Sequence, residues 1–324
     1  MPCRILQWIP GEREEMGVYL LRRMLWMVPV LLGVVTITFF LGRLAPGDPA
    51  LAMAGQRASQ AQLERIRQQY GFDQPLLVQY GIYLKNVLRG DLGISYDSHR
   101  PVAEVILERF PYTLRLAAGA MAVAVVLGIA AGLLSALMPN TWIDRVAMVF
   151  SLLGISTPVF WLGLLLMYFF SIQLQWFPPS GYGDGSWIYL VLPAVALGTQ
   201  SIAFLARMTR ASMLEVLNED YLRTARTKGA GGLCVIGKHA FANAIIPVVT
   251  IIGLDFASYL SGSVLTEKVF SWPGLGRHLV IAIEQRDYPV INGTVLFFCV
   301  IFIAVNLIVD WLYAVLDPRI RYET

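Results

Sequence analysis

Six stretches of this chain are almost purely apolar: residues 24–42, 116–137, 146–172, 188–206, 245–266 and 291–315. Each supplies roughly 20 residues, the length an α-helix rising about 1.5 Å per residue needs to cross ~30 Å of hydrocarbon. The first four hold no Asp, Glu, Lys or Arg, the fifth holds Asp255 and the sixth holds Asp310. The pattern predicts an all-α integral membrane protein with six transmembrane helices and both termini on one side. Basic residues in the shorter loops choose that side. The 173–187 loop has none, whereas the 207–244 loop carries Arg207, Arg210, Arg223, Arg226, Lys228 and Lys238. Arg22 and Arg23 precede the first span, and Arg319 and Arg321 follow the last. The predicted topology is N-in and C-in, with the long 43–115 segment outside.

Between the spans the pattern changes to that of folded polar chain. Residues 1–23 form a short cytoplasmic arm, or translation starts at Met16 and the arm is shorter. In the 43–115 segment, Ser59 followed by Gln62 predicts a capping box, Leu63, Ile66 and Tyr70 share one helical face, and Gly71 supplies a stop. Pro75 predicts the first residue of a second helix, with Gly90 as its stop. This extracytoplasmic helical segment is either a partner-docking cap or a lid on the bundle. Residues 116–324 form the core, with the cytoplasmic loop at 207–244.

Composition narrows the class further. The chain of 324 residues is 56% hydrophobic and 15% charged, well below the roughly 25% charge of soluble domains. So much apolar surface excludes disorder, and Cys3, Cys234 and Cys299 are too few and scattered for a disulfide scaffold. A net charge of +3 gives no footprint for nucleic acid, so lipid is the environment expected.

Enzymatic signatures fail on chemical grounds. Gly232-Leu233-Cys234-Val235-Ile236-Gly237-Lys238-His239 has phosphate-loop spacing, but His239 stands where Ser or Thr must ligate magnesium and no buried strand precedes it. Gly154-Ile155-Ser156-Thr157 offers a serine inside a span, yet His99, His239 and His278 all lie outside the spans, leaving no base. Pro158 instead predicts a helix break. Neither catalytic nor metal-ligating residues are expected, and no cofactor is expected on this chain.

The intramembrane acids carry more information. Asp255 lies mid-span near Ser258, Ser261 and Ser263, and is either a cavity-lining carboxylate able to attract a cationic group or a satisfied packing carboxylate. Asp310, near the cytoplasmic end of its span, is expected to snorkel or pair locally. Two separated acids with no intramembrane base make a poor proton relay, which argues against a proton-coupled secondary transporter. In the cytoplasmic loop, residues 211–228 predict one amphipathic helix with Leu214, Leu217, Tyr221 and Ala225 on one face. Glu219 and Arg223 form an i,i+4 pair, and Gly229 ends the helix. Such a helix inserts into headgroups or docks into a groove on a soluble partner.

At this loop the sequence resembles a known family. Glu219-Asp220-Tyr221-Leu222-Arg223-Thr224-Ala225-Arg226-Thr227-Lys228-Gly229, followed by His239-Ala240 and Asn243-Ala244-Ile245-Ile246-Pro247, is similar to the coupling loop of binding-protein-dependent ABC importer permeases of the dipeptide, oligopeptide and nickel family. Arg223 and Thr224 stand in the first two places of the general Glu-Ala-Ala motif, and Gly231-Gly232-Leu233-Cys234 departs from the charged residues usual there. Further resemblances lie in Arg43-Leu44-Ala45-Pro46-Gly47-Asp48-Pro49, Gly90-Asp91-Leu92-Gly93-Ile94-Ser95 and Ser156-Thr157-Pro158-Val159-Phe160-Trp161. They continue through Glu267-Lys268-Val269-Phe270-Ser271-Trp272-Pro273-Gly274-Leu275-Gly276-Arg277, Arg286-Asp287-Tyr288-Pro289 and Asp317-Pro318-Arg319-Ile320-Arg321.

The resemblance implies a type I importer permease fold in a bacterial inner membrane. It also implies transport of di- or oligopeptides, or of a related small solute such as a glutathione-like peptide, a nickel chelate or a sugar, by alternating access. The implied partners are a homologous second permease, two cytoplasmic ATPases holding ATP and Mg, and an extracytoplasmic solute-binding protein. The implied coupling residues are Glu219, Asp220, Tyr221, Arg223, Thr224, Ala225 and Gly229. The translocation-path candidates are Asp255, Ser258, Ser156 and Thr157. Asp91, Glu267, Trp272, Arg286 and Asp287 are the candidates for contact with the binding protein.

Overall fold

The computed structural model describes residues 10–44, 49–54 and 58–316. Residues 1–9, residues 45–48 of the first family-like motif and the 317–321 tail motif lie outside them. In chain order the helices are α1 (Pro10–Leu44), α2 (Pro49–Ala54), α3 (Gln60–Tyr70), α4 (Leu76–Leu88), α5 (Val102–Leu137), α6 (Trp142–Ser156) and α7 (Val159–Leu166). There follow α8 (Ile188–Leu217), α9 (Asp220–Thr227), α10 (Gly232–Cys234), α11 (Ala242–Gly262), α12 (Val264–Val269), α13 (Leu275–Gln285) and α14 (Tyr288–Leu316). Met167–Gln173 and Val235–Phe241 form π-helical turns. Among the described residues, five continuous helical stretches are long and apolar enough to cross a bilayer, and the α6–α7 pair makes a sixth when counted as one crossing. Contacts divide the chain into two compact units, residues 1–91 with 295–324 and residues 92–294.

In the first unit the turn chemistry predicted from sequence is realised. Ser59 Oγ accepts from Gln62 N, Gln62 Oε1 accepts from Ser59 N at 3.0 Å, and Gly71 ends α3 with φ +67°. Pro75 sits at the N-cap of α4, one place before the first helical residue. Against α1, the Tyr83 ring stacks on Phe39 with centroids 5.4 Å apart, and the Tyr80 hydroxyl lies 2.7 Å from Thr36 Oγ1. Asp310 forms an ion pair with Arg23, the local pairing expected for an acid near a helix end.

The second unit is organised around α5 and α8. Lipid tails are as apolar as Leu, so helices in a bilayer associate through close packing and polar bonds. Here the backbones nearly touch. A Cβ on Gly132 would lie 2.4 Å from Ala206 O, one on Gly128 2.8 Å from Leu205 Cβ, and one on Gly198 2.8 Å from Ala120 O. At the end assigned to the cytoplasm, Arg210 of α8 grips Asp144 of α6 with two bonds, Nε to Oδ1 at 2.7 Å and one terminal NH₂ to Oδ2 at 2.8 Å. Ser135 and the Asn140 N–H also donate to Asp144, so this buried carboxylate is saturated with donors. The third predicted span is broken, because Pro158 holds Thr157 in extended backbone and α6 and α7 meet at 109°.

Near the outer end of this unit, the side chain of Glu267 is fully buried and caps α13. The Arg277 N–H donates to Oε2 at 2.9 Å, while Thr113 Oγ1 and Ser263 Oγ donate to Oε1 at 2.8 and 2.9 Å. The Leu275 N–H reaches Thr113 Oγ1, so the first-turn amides of α13 are satisfied directly or through one hydroxyl. Burial pushes the Glu267 carboxyl above the usual range, and the Arg277 amide with the other donors pulls against that. A Cβ on Gly274 would meet this carboxylate at 2.5 Å, and one on Gly276 would meet Val264 Cα at 2.7 Å. Trp272 is equally buried and donates from Nε1 to Tyr112 O at 2.8 Å. Asp287 is buried as well and accepts from Ser95 Oγ at 2.6 Å and from the Asp97 N–H at 3.3 Å. The expectation that Glu267, Trp272 and Asp287 face a binding protein is therefore corrected. Their polar groups are consumed in joining α13 and the start of α14 to α5 and to the 95–97 segment.

Gly132→Val should destabilise the folded chain by about 2 kcal/mol through overpacking. A lowered melting temperature in detergent checks this. Gly33→Ala, where an added Cβ meets nothing within 4 Å, should leave that temperature nearly unchanged. Glu267→Ala should cost about 3 kcal/mol, because buried donors of α13 lose their acceptor. Thermal melts of that variant showing a wild-type transition would contradict the capping role.

Candidate functional site

The cytoplasmic loop folds differently from the single helix expected over 211–228. Helix α8 runs on to Leu217, where the Asn218 side chain turns back to donate to Leu214 O at 2.8 Å, and Glu219 takes extended backbone. A separate helix, α9, then starts at Asp220. The break resets the helical phase, so the residue that α9 buries is Leu222 rather than Tyr221. Leu222 packs with Met213, Val235, Ala240 and Ala244, and Ala225 lies at the edge of that cluster. Instead of Glu219, Asp220 pairs with Arg223 at 3.7 Å, and both side chains are so exposed that the pair adds little stability.

Gly229 ends α9 with φ +83°, a backbone state that costs other L-residues roughly 1 kcal/mol. It allows the Ala230 N–H to reach back to Ala225 O at 3.1 Å, the long bond of a Schellman motif. Tyr221 is tied down at its tip, its hydroxyl donating to His239 O at 3.2 Å and accepting from Asn243 Nδ2 at 2.8 Å. The expected coupling residues thus separate by role. Tyr221, Ala225 and Gly229 fix the helix to its base, whereas the side chains of Glu219, Asp220, Arg223 and Thr224 are exposed. Leu222, the buried anchor, was missed because the periodicity was read across a helix break. Residues 232–239 fold as helix and π-turn with Leu233 exposed, a geometry with no strand to present a phosphate loop.

Asp255 is the fourteenth of the 21 residues of α11, inside the fifth apolar span. It shares a cavity of about 250 Å³ with Ile155, Gln200, Ser201, Phe204, Ser258 and Tyr259. Ser201 donates to Asp255 Oδ2, and Tyr259 donates to Ser201 Oγ at 2.6 Å. Of the four path candidates, the structure brings Asp255 and Ser258 together. Ser156 and Thr157 sit at the α6–α7 break, where Thr157 Oγ1 donates to Leu153 O at 2.7 Å, and neither is among the residues lining the cavity. Ser201 and Tyr259 were not singled out from sequence, since a hydroxyl in a span shows no role until its neighbour is known. Of the five outer-face candidates, Asp91 and Arg286 are exposed. Arg286 holds the left-handed position, φ +58°, that ends α13.

Comparison with known proteins bears on the family and the fold. The model described as "Binding-protein-dependent transport system inner membrane component" matches residues 124–322, and its N-terminal counterpart matches residues 16–117. The glutathione transport system permease protein GsiC of Escherichia coli O6:H1 is 48% identical over 305 residues, covering 94% of this chain and 99% of that protein. The protein of the same name from Pectobacterium atrosepticum is also 48% identical over the same coverage. Among solved structures, the inward-facing MetNI methionine ABC transporter superposes with a TM-score of 0.54 at 17% identity, over 65% of this chain and 96% of that one. An amino acid ABC transporter crystallised with histidines gives 0.50 at 20% identity, over 67% and 95%. At such identities these two speak for the fold alone, that of a type I permease. The family models and the sequence relatives settle the family: this chain is an inner-membrane permease component of the binding-protein-dependent ABC importers.

Proposed function

We propose that this subunit forms half of a translocation path for di- or oligopeptides, glutathione-sized peptides included, and that α9 couples it to ATP hydrolysis on partner subunits. The observation that carries the coupling role is the geometry of α9. It is a two-turn helix with its apolar side locked at Leu222 and its polar side, Glu219, Asp220, Arg223 and Thr224, exposed where it can enter a groove on another protein. A membrane-inserting helix would show the opposite arrangement, with apolar residues outward. The 48% identity to a permease of glutathione transport supports a peptide-like solute.

On this reading the chain itself performs no chemistry. ATP and Mg belong to two cytoplasmic ATPases, a second permease completes the path, and an extracytoplasmic binding protein delivers the solute. Coupling requires that α9 bind its groove differently in the ATP-bound and reset states, since only differential binding shifts a conformational equilibrium. The exposed Asp91 and Arg286 remain as contacts for the binding protein.

Gly229→Asp should reduce uptake at least tenfold with little loss of protein from the membrane, because it disturbs the end of α9 where an added side chain would meet no neighbouring atom. Exchanging Asp220→Arg together with Arg223→Asp should have the same effect. The exchange preserves an oppositely charged pair on the helix, loses the small first-turn stabilisation from Asp220, and inverts what the helix presents outward. Uptake assays beside immunoblots of membrane fractions check both, and wild-type uptake at wild-type abundance would sink the coupling role of α9.

A further inference from the structure

The cavity at Asp255 has a directed chemistry. Its two hydroxyl neighbours form a chain that runs one way, Tyr259 to Ser201 to Asp255, with both hydroxyl hydrogens spent on pointing toward the carboxylate. This fixes Oδ2. Among the described residues Oδ1 has no hydrogen-bond or ion-pair partner, and Asp255 is half-buried rather than sealed. The lining contains one carboxylate and no Lys, Arg or His. Gln200 and Ser258 add neutral polar groups, Ser258 and Phe204 are exposed at the rim, and Ile155 and Phe204 supply apolar wall. A lone carboxylate at bilayer depth, held by donors yet open on one oxygen, favours a cation that can also donate hydrogen bonds. The Phe204 ring already carries the Arg207 guanidinium, 5.4 Å from its centroid, and so counts here as apolar wall. At about 250 Å³ the space suits one amino-acid-sized group rather than a whole oligopeptide.

We infer that this cavity is a subsite for the primary ammonium group of the transported solute. Asp255 Oδ1 takes the ammonium, Ser201 and Tyr259 act as positioning residues that hold the carboxylate, and Ile155 and Phe204 bound the adjoining carbon chain. A packing role alone leaves the open oxygen and the cavity without an explanation. The inference rests on the peptide-importer reading, and it places part of the solute selection in this subunit rather than wholly in the binding protein.

The test uses the complete transporter in proteoliposomes with its binding protein in excess. Uptake is measured for Ala-Ala and glutathione and for the N-acetylated form of each. The binding protein is the same throughout, so any change in the ratio of free-amine to acetylated uptake belongs to the permease. Asp255→Asn, which keeps the shape and can still accept from Ser201, should lower that ratio about tenfold while ATP hydrolysis stimulated by the binding protein stays within about twofold. Asp255→Glu should recover part of the ratio, and Tyr259→Phe should lower it by a smaller factor. An unchanged ratio in Asp255→Asn overturns the subsite. So does wild-type uptake of neither free-amine probe despite stimulated hydrolysis, since the solute then lacks the group proposed. If Asp255→Asn does not fold, an unchanged ratio in Tyr259→Phe has the same force. Failure of the binding protein to stimulate hydrolysis in the wild-type complex overturns the importer reading instead.

Discussion

Close backbone contact between α5 and α8 is the constraint on which the second unit depends. Without a hydrophobic force to drive helices together inside lipid, the pair relies on glycines that let main chains meet at Gly128, Gly132 and Gly198. The polar fixtures of the unit are then hung from these two helices. Helix α5 contributes Ser135 to the Asp144 carboxylate and Thr113 to the Glu267 carboxylate. Helix α8 contributes Arg210 to Asp144 and Ser201 to Asp255. A change in how α5 and α8 approach each other would therefore move all three acids.

Those acids do different work because their surroundings differ. Asp144 meets a guanidinium and is a clamp. Glu267 meets amides and hydroxyls at a helix start and is a cap. Asp255 meets one hydroxyl, keeps an open oxygen beside a cavity, and is the carboxylate of the three placed to receive something else. The length of α8 carries this logic to the cytoplasmic loop. The same helix that holds Ser201 ends at Leu217, one short break from α9. If α9 couples to a partner as proposed, its displacement would act on the helix that also carries Ser201 of the Asp255 cavity.

Elements whose causes are local could be read in the sequence. The spans follow from hydrophobic length, the α3 boundaries from Ser59, Gln62 and Gly71, the α6–α7 bend from Pro158, and the end of α9 from Gly229. What depended on tertiary partners could not be read. Periodicity ran through Asn218 because nothing in the spacing shows that its side chain closes α8. Glu267, Trp272 and Asp287 looked like surface groups, since charge and indole in an outer loop point outward unless buried partners are known. Those partners, Thr113, Tyr112 and Ser95, lie over a hundred residues away in the chain. For the same reason the hydroxyls of Ser201 and Tyr259 gained a role only beside Asp255.

We propose that α9 is the point where the free energy of ATP hydrolysis on partner subunits enters this subunit. A photoreactive side chain placed at position 224, on the exposed side of α9, tests it directly in the assembled transporter. The account predicts a crosslink to an ATPase subunit whose yield changes between nucleotide-free and ATP-trapped states. Crosslinking to lipid alone, or to an ATPase with a yield indifferent to nucleotide, would contradict it.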